Sequence, residues 1–142
     1  MMINHVKVVW NKEAQFIGLD DYNHKMVLDH GPNTEGLDEG FRPSHLLLLG
    51  LAGCTGMDVI SIMQKKNAVI TRFEIEATGE ANDEYPKKYY QMHILYHVTG
   101  YQIKEADLKR AIELSETKYC IVRNTLAPSV SITSDFTITE SE

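Results

Sequence analysis

The chain has 142 residues, enough for one domain with a real core, and its 43% apolar and 24% charged residues are globular values. Twenty acidic residues outnumber 14 basic ones, and no Lys/Arg run exceeds two, so the basic footprint of a nucleic-acid binder is missing. The opening residues Met1-Met2-Ile3-Asn4-His5-Val6-Lys7 hold no apolar secretory core, and the apolar run 46–54 is too short for a bilayer before Asp58 interrupts its continuation. These features predict a cytoplasmic, soluble protein with a single domain over residues 1–142 and no membrane or nucleic-acid partner.

In chain order, Val6, Val8 and Trp10 share one parity, and short apolar runs follow at 14–19 and 25–28. Asn11-Lys12 and Asp20-Asp21-Tyr22-Asn23 separate them, which predicts a β-meander of two or three strands. Residues 30–42, with Gly31, Pro32, Gly36 and Gly40, form a loop long enough to suggest a lid or partner contact. Pro43 then opens a helix, because its missing N–H would be unpaired at that position anyway. The helix runs to about Asn67, with Lys65-Lys66 placed to suit the carboxyl end of the dipole. Its first half is apolar on every side and is expected to be buried all round. Gly50, Gly53 and Gly56 recur every third residue at a helix-propensity cost of about 1 kcal/mol each, which implies close approach by a neighbour or substrate.

From Ile70 the period becomes two. Phe73, Ile75 and Ala77 alternate with Arg72, Glu74 and Glu76, and after a turn at 83–86 Met92, Ile94, Tyr96 and Val98 alternate with His93, His97 and Thr99. Two antiparallel strands with one dry face follow from that pattern. Residues 104–119 are predicted as an amphipathic helix, and 130–138 as a last strand. The order β-β-β-α-β-β-α-β is α+β.

Only two cysteines are present, Cys54 inside the first helix and Cys120 at the end of the second. In a reducing compartment such a pair is more often free or catalytic than structural. Cys54 shares a helical stripe with Leu47, Gly50 and Asp58, where a thiol is ordinarily a small hydrophobe. Cys120 stands one turn beyond Glu116 and near Arg123. Asp58 and Glu116 would disfavour a thiolate as like charges, so activation calls for a cation, and Arg42 and Arg123 are the candidates. Arg42 precedes Cys54 by about three helical turns, roughly 18 Å along the axis, so it would have to come from a second subunit. His93 and His97 lie roughly 13 Å apart on one strand, too far for one ion, and no Cys-x-x-Cys or His-Glu-x-x-His spacing exists. No metal or cofactor is expected.

The run Pro43-Ser44-His45-Leu46-Leu47-Leu48-Leu49-Gly50-Leu51-Ala52-Gly53-Cys54-Thr55-Gly56-Met57-Asp58-Val59 resembles the central-helix signature of the OsmC/Ohr family of osmotically inducible and organic hydroperoxide resistance proteins. Ser115-Glu116-Thr117-Lys118-Tyr119-Cys120-Ile121-Val122 resembles its second cysteine segment. The hairpin around Pro86 followed by Val98-Thr99-Gly100 extends the likeness to nearly the whole chain, closest to the YhfA-like branch.

This resemblance implies an OsmC-like fold, antiparallel sheets packed on two central helices, and an intertwined homodimer with two interface sites. It also implies that Cys54 attacks a small organic hydroperoxide, that Cys120 resolves the sulfenic acid to a disulfide, and that a dithiol reductant reopens it. The candidate catalytic residues are Cys54, Cys120, Arg42 and Glu116. Two positions depart from the pattern of the family's peroxidases: Ser44 stands where they carry a glutamate after the proline, and the strands before the loop contain no arginine. Those departures motivate an alternative, a dimer that binds a small apolar molecule or senses redox state through its thiols. A structural dimer with inert buried cysteines is the third reading.

Overall fold

A computed structural model describes residues 1–141, which fall into two compact units dividing after Leu47. In the N-terminal unit, β1 (Val6–Lys12), β2 (Gln15–Asp20) and β3 (Lys25–Leu28) form the expected antiparallel meander. Trp10 pairs with Phe16, and a bulge follows before Lys12 meets Gln15. The β2–β3 turn is built by Asp20, whose carboxylate accepts from the Tyr22 and His24 amides at 2.8 and 2.9 Å. No side chain of β1 is buried, and Val6, Val8, Val9 and Trp10 are all exposed.

The loop after β3 is organised around one carboxylate. Asp29, 1% exposed, accepts from Gln15 Nε2 at 3.0 Å and from the amides of His30, Leu37 and Glu39 at 2.8, 3.2 and 3.3 Å. Burial pushes its pKa up, but these donors outweigh burial and hold it below the usual carboxylate range. A Cβ on Gly36 would run into the His30 carbonyl, so this turn admits only glycine.

The helix α1 (Pro43–Lys65) begins at the proline, as the sequence implies. It is not buried all round. Leu51, Thr55, Val59 and Met63, four residues apart, form one buried stripe together with Gly56. Leu47, Leu49 and Met57 on other faces are 45, 46 and 73% exposed. The apolar surface of this helix therefore exceeds what its own chain covers. By length and composition the whole of α1 would suffice to cross a bilayer, although the apolar run 46–54 alone is too short; core helices of globular folds pass the same test.

In the second unit, β4 (Val69–Ala81) and β5 (Tyr89–Tyr101) form a long antiparallel hairpin, with β6 (Ser131–Glu140) on the other side of β5. β6 runs parallel to β5, from Gln91↔Ser131 to Gly100↔Glu140. The expectation of purely antiparallel sheets is corrected here. A parallel neighbour needs a crossover of a dozen or more residues, and the helical segment between β5 and β6 supplies it. The dry face carries Met92, Ile94, Tyr96 and Val98, with Phe73, Ile75, Ile132, Phe136 and Ile138 beside them. The rings of Phe73 and Tyr96 stack with centroids 6.4 Å apart.

The opposite face is polar. His93 bonds Thr133 at 2.7 Å, and His97 bonds Thr137 at 2.9 Å and Glu76 at 2.7 Å. The two histidines thus have separate side-chain partners.

The three helical glycines meet three different fates. A Cβ on Gly56 would come within 2.5 Å of Ile75 Cδ1, so the sheet does approach closely there. At Gly50 the nearest atom, from Val122, would be 3.8 Å away, an ordinary contact. A Cβ on Gly53 would meet nothing within 4 Å.

The predicted helix over 104–119 is three pieces. The α-helix α2 (Glu105–Leu114) passes into one π turn (Ser115–Tyr119), and a separate α3 (Ile121–Leu126) follows. The π turn closes through the Cys120 amide, which donates to the Ser115 carbonyl at 2.9 Å.

Candidate active site

Cys54 sits mid-helix on α1, one position before the buried Thr55, and is half-buried at the edge of the packed stripe. Cys120 occupies the break between the π turn and α3, with extended φ −77° and ψ 105°. That conformation makes it the N-cap of α3: its sulfur accepts from the Arg123 amide at 3.3 Å. The same break turns the side chain inward, and Cys120 is 0% exposed. Both cysteines are free thiols, and their side chains lie within hydrogen-bonding reach of each other. Two sulfurs distant in sequence therefore meet within one unit.

The electrostatics separate their roles. Burial, then the hydrogen bond with Cys54, pushes the Cys120 thiol up to about 11, against the weaker pull of the Arg123 amide. Cys120 is therefore a neutral thiol at physiological pH. Cys54 is the more exposed of the two residues.

Around this pair lies a set of polar side chains inside the core. The fully buried Ser115 donates its hydroxyl hydrogen to Asp58 Oδ2 at 2.8 Å, tying the π turn to α1. Asp58, which the sequence suggested as a like charge beside the thiol, is thus engaged by a hydroxyl. Arg123 reaches back with its guanidinium to the carbonyls of Glu116 at 2.9 Å and Ile132 at 3.3 Å. Tyr96, 0% exposed, faces Thr55, whose own hydroxyl is committed to the Leu51 and Ala52 carbonyls at 3.0 and 3.2 Å. Burial drives the Tyr96 phenol well above its ordinary value, and Glu116 and Cys120 add to the rise.

Among the described residues, the buried side-chain polar atoms that complete no hydrogen bond of normal geometry are Tyr96 Oη, Glu116 Oε1 and Arg123 Nε. Glu116 and Arg123 flank Cys120 along the chain, and the charge of Cys120 acts on Tyr96. Arg42, the other cation anticipated from the sequence, belongs to the N-terminal unit, where it pairs with Asp38 at 2.6 Å. No group of three or more His, Cys, Asp or Glu suited to a metal ion occurs among the described residues. Tyr96 is the site residue that sequence reasoning passed over. Its only signal was a hydroxyl-bearing ring at a dry-face position of β5.

Residues 36–135 match the family described as OsmC-like protein. The chain belongs to the OsmC-like family. It is 30% identical over 132 residues to Protein YhfA of Escherichia coli K12, covering 93% of this chain and 96% of that one. The crystal structure of a hypothetical protein from Aquifex aeolicus VF5 superposes with a TM-score of 0.87 at 27% identity, covering 100% of each chain. An organic hydroperoxide resistance protein OsmC from Legionella pneumophila shares the fold with a TM-score of 0.69 at 10% identity, covering 96% of this chain and 98% of that one.

Proposed function

We propose that this protein is a thiol-dependent reductase of small organic hydroperoxides, with Cys54 as the attacking sulfur and Cys120 as the resolving one. The observation that carries this reading is the approach of a half-buried and a fully buried free thiol to within hydrogen-bonding reach. The Cys54 thiolate attacks the terminal peroxide oxygen, the O–O bond breaks, and the alcohol leaves with a proton while Cys54 becomes a sulfenic acid. Cys120 then displaces hydroxide from the Cys54 sulfur and the S–S bond forms. Two electrons and two protons from a dithiol return both thiols. The name of the Legionella pneumophila structural neighbour supports this choice of substrate class.

The reading includes a homodimer acting in the cytoplasm, where free thiols stay reduced. The exposed Leu47, Leu49 and Met57 on α1 and the unburied β1 support a second copy as their cover. Such a copy is also the source from which Arg42 would serve as the cation at Cys54. The test is consumption of cumene hydroperoxide by purified protein in the presence of a dithiol, against a Cys54→Ser variant. Equal consumption by the two proteins would sink the proposal.

A second reading, thiol redox sensing or binding of an apolar molecule, is favoured by two observations. The Arg42 guanidinium is already paired to Asp38, and burial keeps Cys120 protonated. Alkylation rates of Cys54 against pH discriminate the readings. A rate that saturates below pH 7 supports the enzyme, and one that still climbs above pH 8.5 supports the sensor.

A further inference from the structure

Resting on the hydroperoxide reading, the resolving step poses a problem of its own. Cys120 is buried and neutral, and it must shed a proton before its sulfur can attack Cys54. Glu116, on the same turn as Cys120, carries a carboxylate that can take it.

Glu116 stands one turn before Cys120 within the π turn and shows two faces. One carboxylate oxygen, Oε1, is buried and without a hydrogen-bond partner. The residue also lines a solvent-open cleft of about 280 Å³ between α2, the π turn and β6, together with Lys109, Glu113, Thr117, Asp135 and Phe136. It therefore connects the interior beside Cys120 to bulk water. The buried interior on that side contains Arg123 Nε, also without a partner, and the Tyr96 hydroxyl, which leans on Thr55 and on which the charges of Glu116, Cys120 and Arg123 act. A buried unpaired carboxylate oxygen and an unpaired guanidinium nitrogen on the segments that flank Cys120, with the Tyr96 hydroxyl beyond them, make this interior polar rather than an apolar seal.

The geometry points to Glu116 as the proton acceptor for Cys120 in disulfide formation, working across the polar pocket it shares with Tyr96 and Arg123 and discharging the proton into the cleft. In balance, the Cys120 thiol gives its proton to the Glu116 carboxylate and its sulfur attacks the Cys54 sulfenic sulfur. The Cys54 S–O bond breaks as the S–S bond forms. Hydroxide leaves and takes up one proton, so water is the net product and Glu116 is again ionised. Cys120 sulfur is oxidised and Cys54 sulfur reduced by the same electron pair. Arg123 is a positioning residue in this scheme: its guanidinium holds the Glu116 carbonyl at 2.9 Å and its amide holds the Cys120 sulfur at 3.3 Å.

The titratable and charged groups that surround the turn are Cys54 and Asp58 on α1, Tyr96 on β5, Glu116 and Lys118 in the turn itself, Arg123 on α3, and Lys109, Glu113 and Asp135 around the cleft. Asp58 is occupied by Ser115, and Lys118 lies over the Tyr119 ring at 5.3 Å.

The experiment separates the two thiol steps. Reduced protein is mixed rapidly with one equivalent of cumene hydroperoxide, and sulfenic acid and disulfide are quantified from quenched samples by dimedone trapping and mass. Once sulfenic acid is present, Glu116→Gln is expected to convert it to disulfide roughly 10- to 100-fold more slowly than the unaltered protein. Its rate should gain a steep rise with pH that the unaltered protein lacks. Glu116→Asp, which keeps the carboxylate, should recover part of the rate and also covers a folding failure of the glutamine variant. Disulfide formation in Glu116→Gln within twofold of the unaltered protein across the pH range overturns the inference. If the unaltered protein forms no sulfenic acid, the hydroperoxide reading falls alone. Diamide, which takes the thiol electrons and becomes its hydrazine, then tests the inference, because its second step needs the same loss of a proton from Cys120. A slowed second step in Glu116→Gln supports Glu116, and an equal one overturns it.

Discussion

The Ser115 hydroxyl donates to the Asp58 carboxylate across 2.8 Å, and this bond fastens the turn bearing Cys120 to the helix bearing Cys54. Asp58 lies one helical turn beyond Cys54, and Ser115 begins the π turn that ends before Cys120. The register of the two sulfurs thus rests on a hydroxyl and a carboxylate, not only on apolar packing.

Replacing that hydroxyl tests the point. Ser115→Ala leaves the Asp58 carboxylate without its buried donor and should lower stability by about 1–3 kcal/mol. Urea denaturation measures the loss. The same variant should form the Cys54–Cys120 disulfide more slowly, whereas Thr125→Ala on α3 should leave that rate unchanged.

The glycines of α1 should respond in opposite directions. Gly56→Ala places a methyl group against Ile75 and should cost about 1–3 kcal/mol, since the Ile75 tip must give way. Gly53→Ala meets nothing in its own chain and should gain up to about 1 kcal/mol from helix propensity. Midpoints of thermal or urea unfolding report both. A loss of stability at Gly53, together with a shift in mass by light scattering, would show a second copy packed against that face.

Stability should fall at alkaline pH because of Cys120. Its thiol pKa rises from the ordinary 9.0 to about 11 on folding, so the folded state holds its proton more tightly than the unfolded chain. The contribution is complete below pH 9 and is lost as pH climbs from about 9 to about 11; two pKa units correspond to roughly 2–3 kcal/mol. Tyr96 acts in the same direction at still higher pH. Unfolding measured at pH 7 and pH 10.5 should show the drop, and Cys120→Ser should remove much of it.

Acid should loosen the loop after β3. The Asp29 carboxyl is held below its ordinary value, so its stabilising effect is present above that value and is lost as pH falls through the depressed one. Asp29→Asn removes the charge that accepts from the Leu37 and Glu39 amides. Hydrogen exchange at those two amides should quicken at neutral pH in this variant, and no change there would refute the role of the carboxylate.

Much of the architecture was legible in one dimension. Alternation of Phe73, Ile75 and the run Met92 to Val98 with charged and hydroxyl residues is a period-two signal that local sterics enforce, and β4 and β5 follow it. Pro43 marks the start of α1 because its chemistry suits that one position. The π turn was not legible. Residues 104–119 carry an unbroken helical period, and only the bond from the Cys120 amide to Ser115 and the seat of Ser115 against Asp58 break it.

The candidate site divides in the same way. By itself the amino-acid order determined the strands, the long helix α1, the two thiols and the family, because propensity, hydrophobic period and motif are properties of neighbours along the chain. Tertiary structure alone decided that the thiols meet, that Cys120 is buried and protonated, that β6 joins its sheet in parallel, and that the Arg123 amide meets the second sulfur while the charge of Cys120 acts on Tyr96. Those outcomes depend on burial and on contacts between remote segments, and desolvation acts on a residue only once the rest of the chain has closed around it.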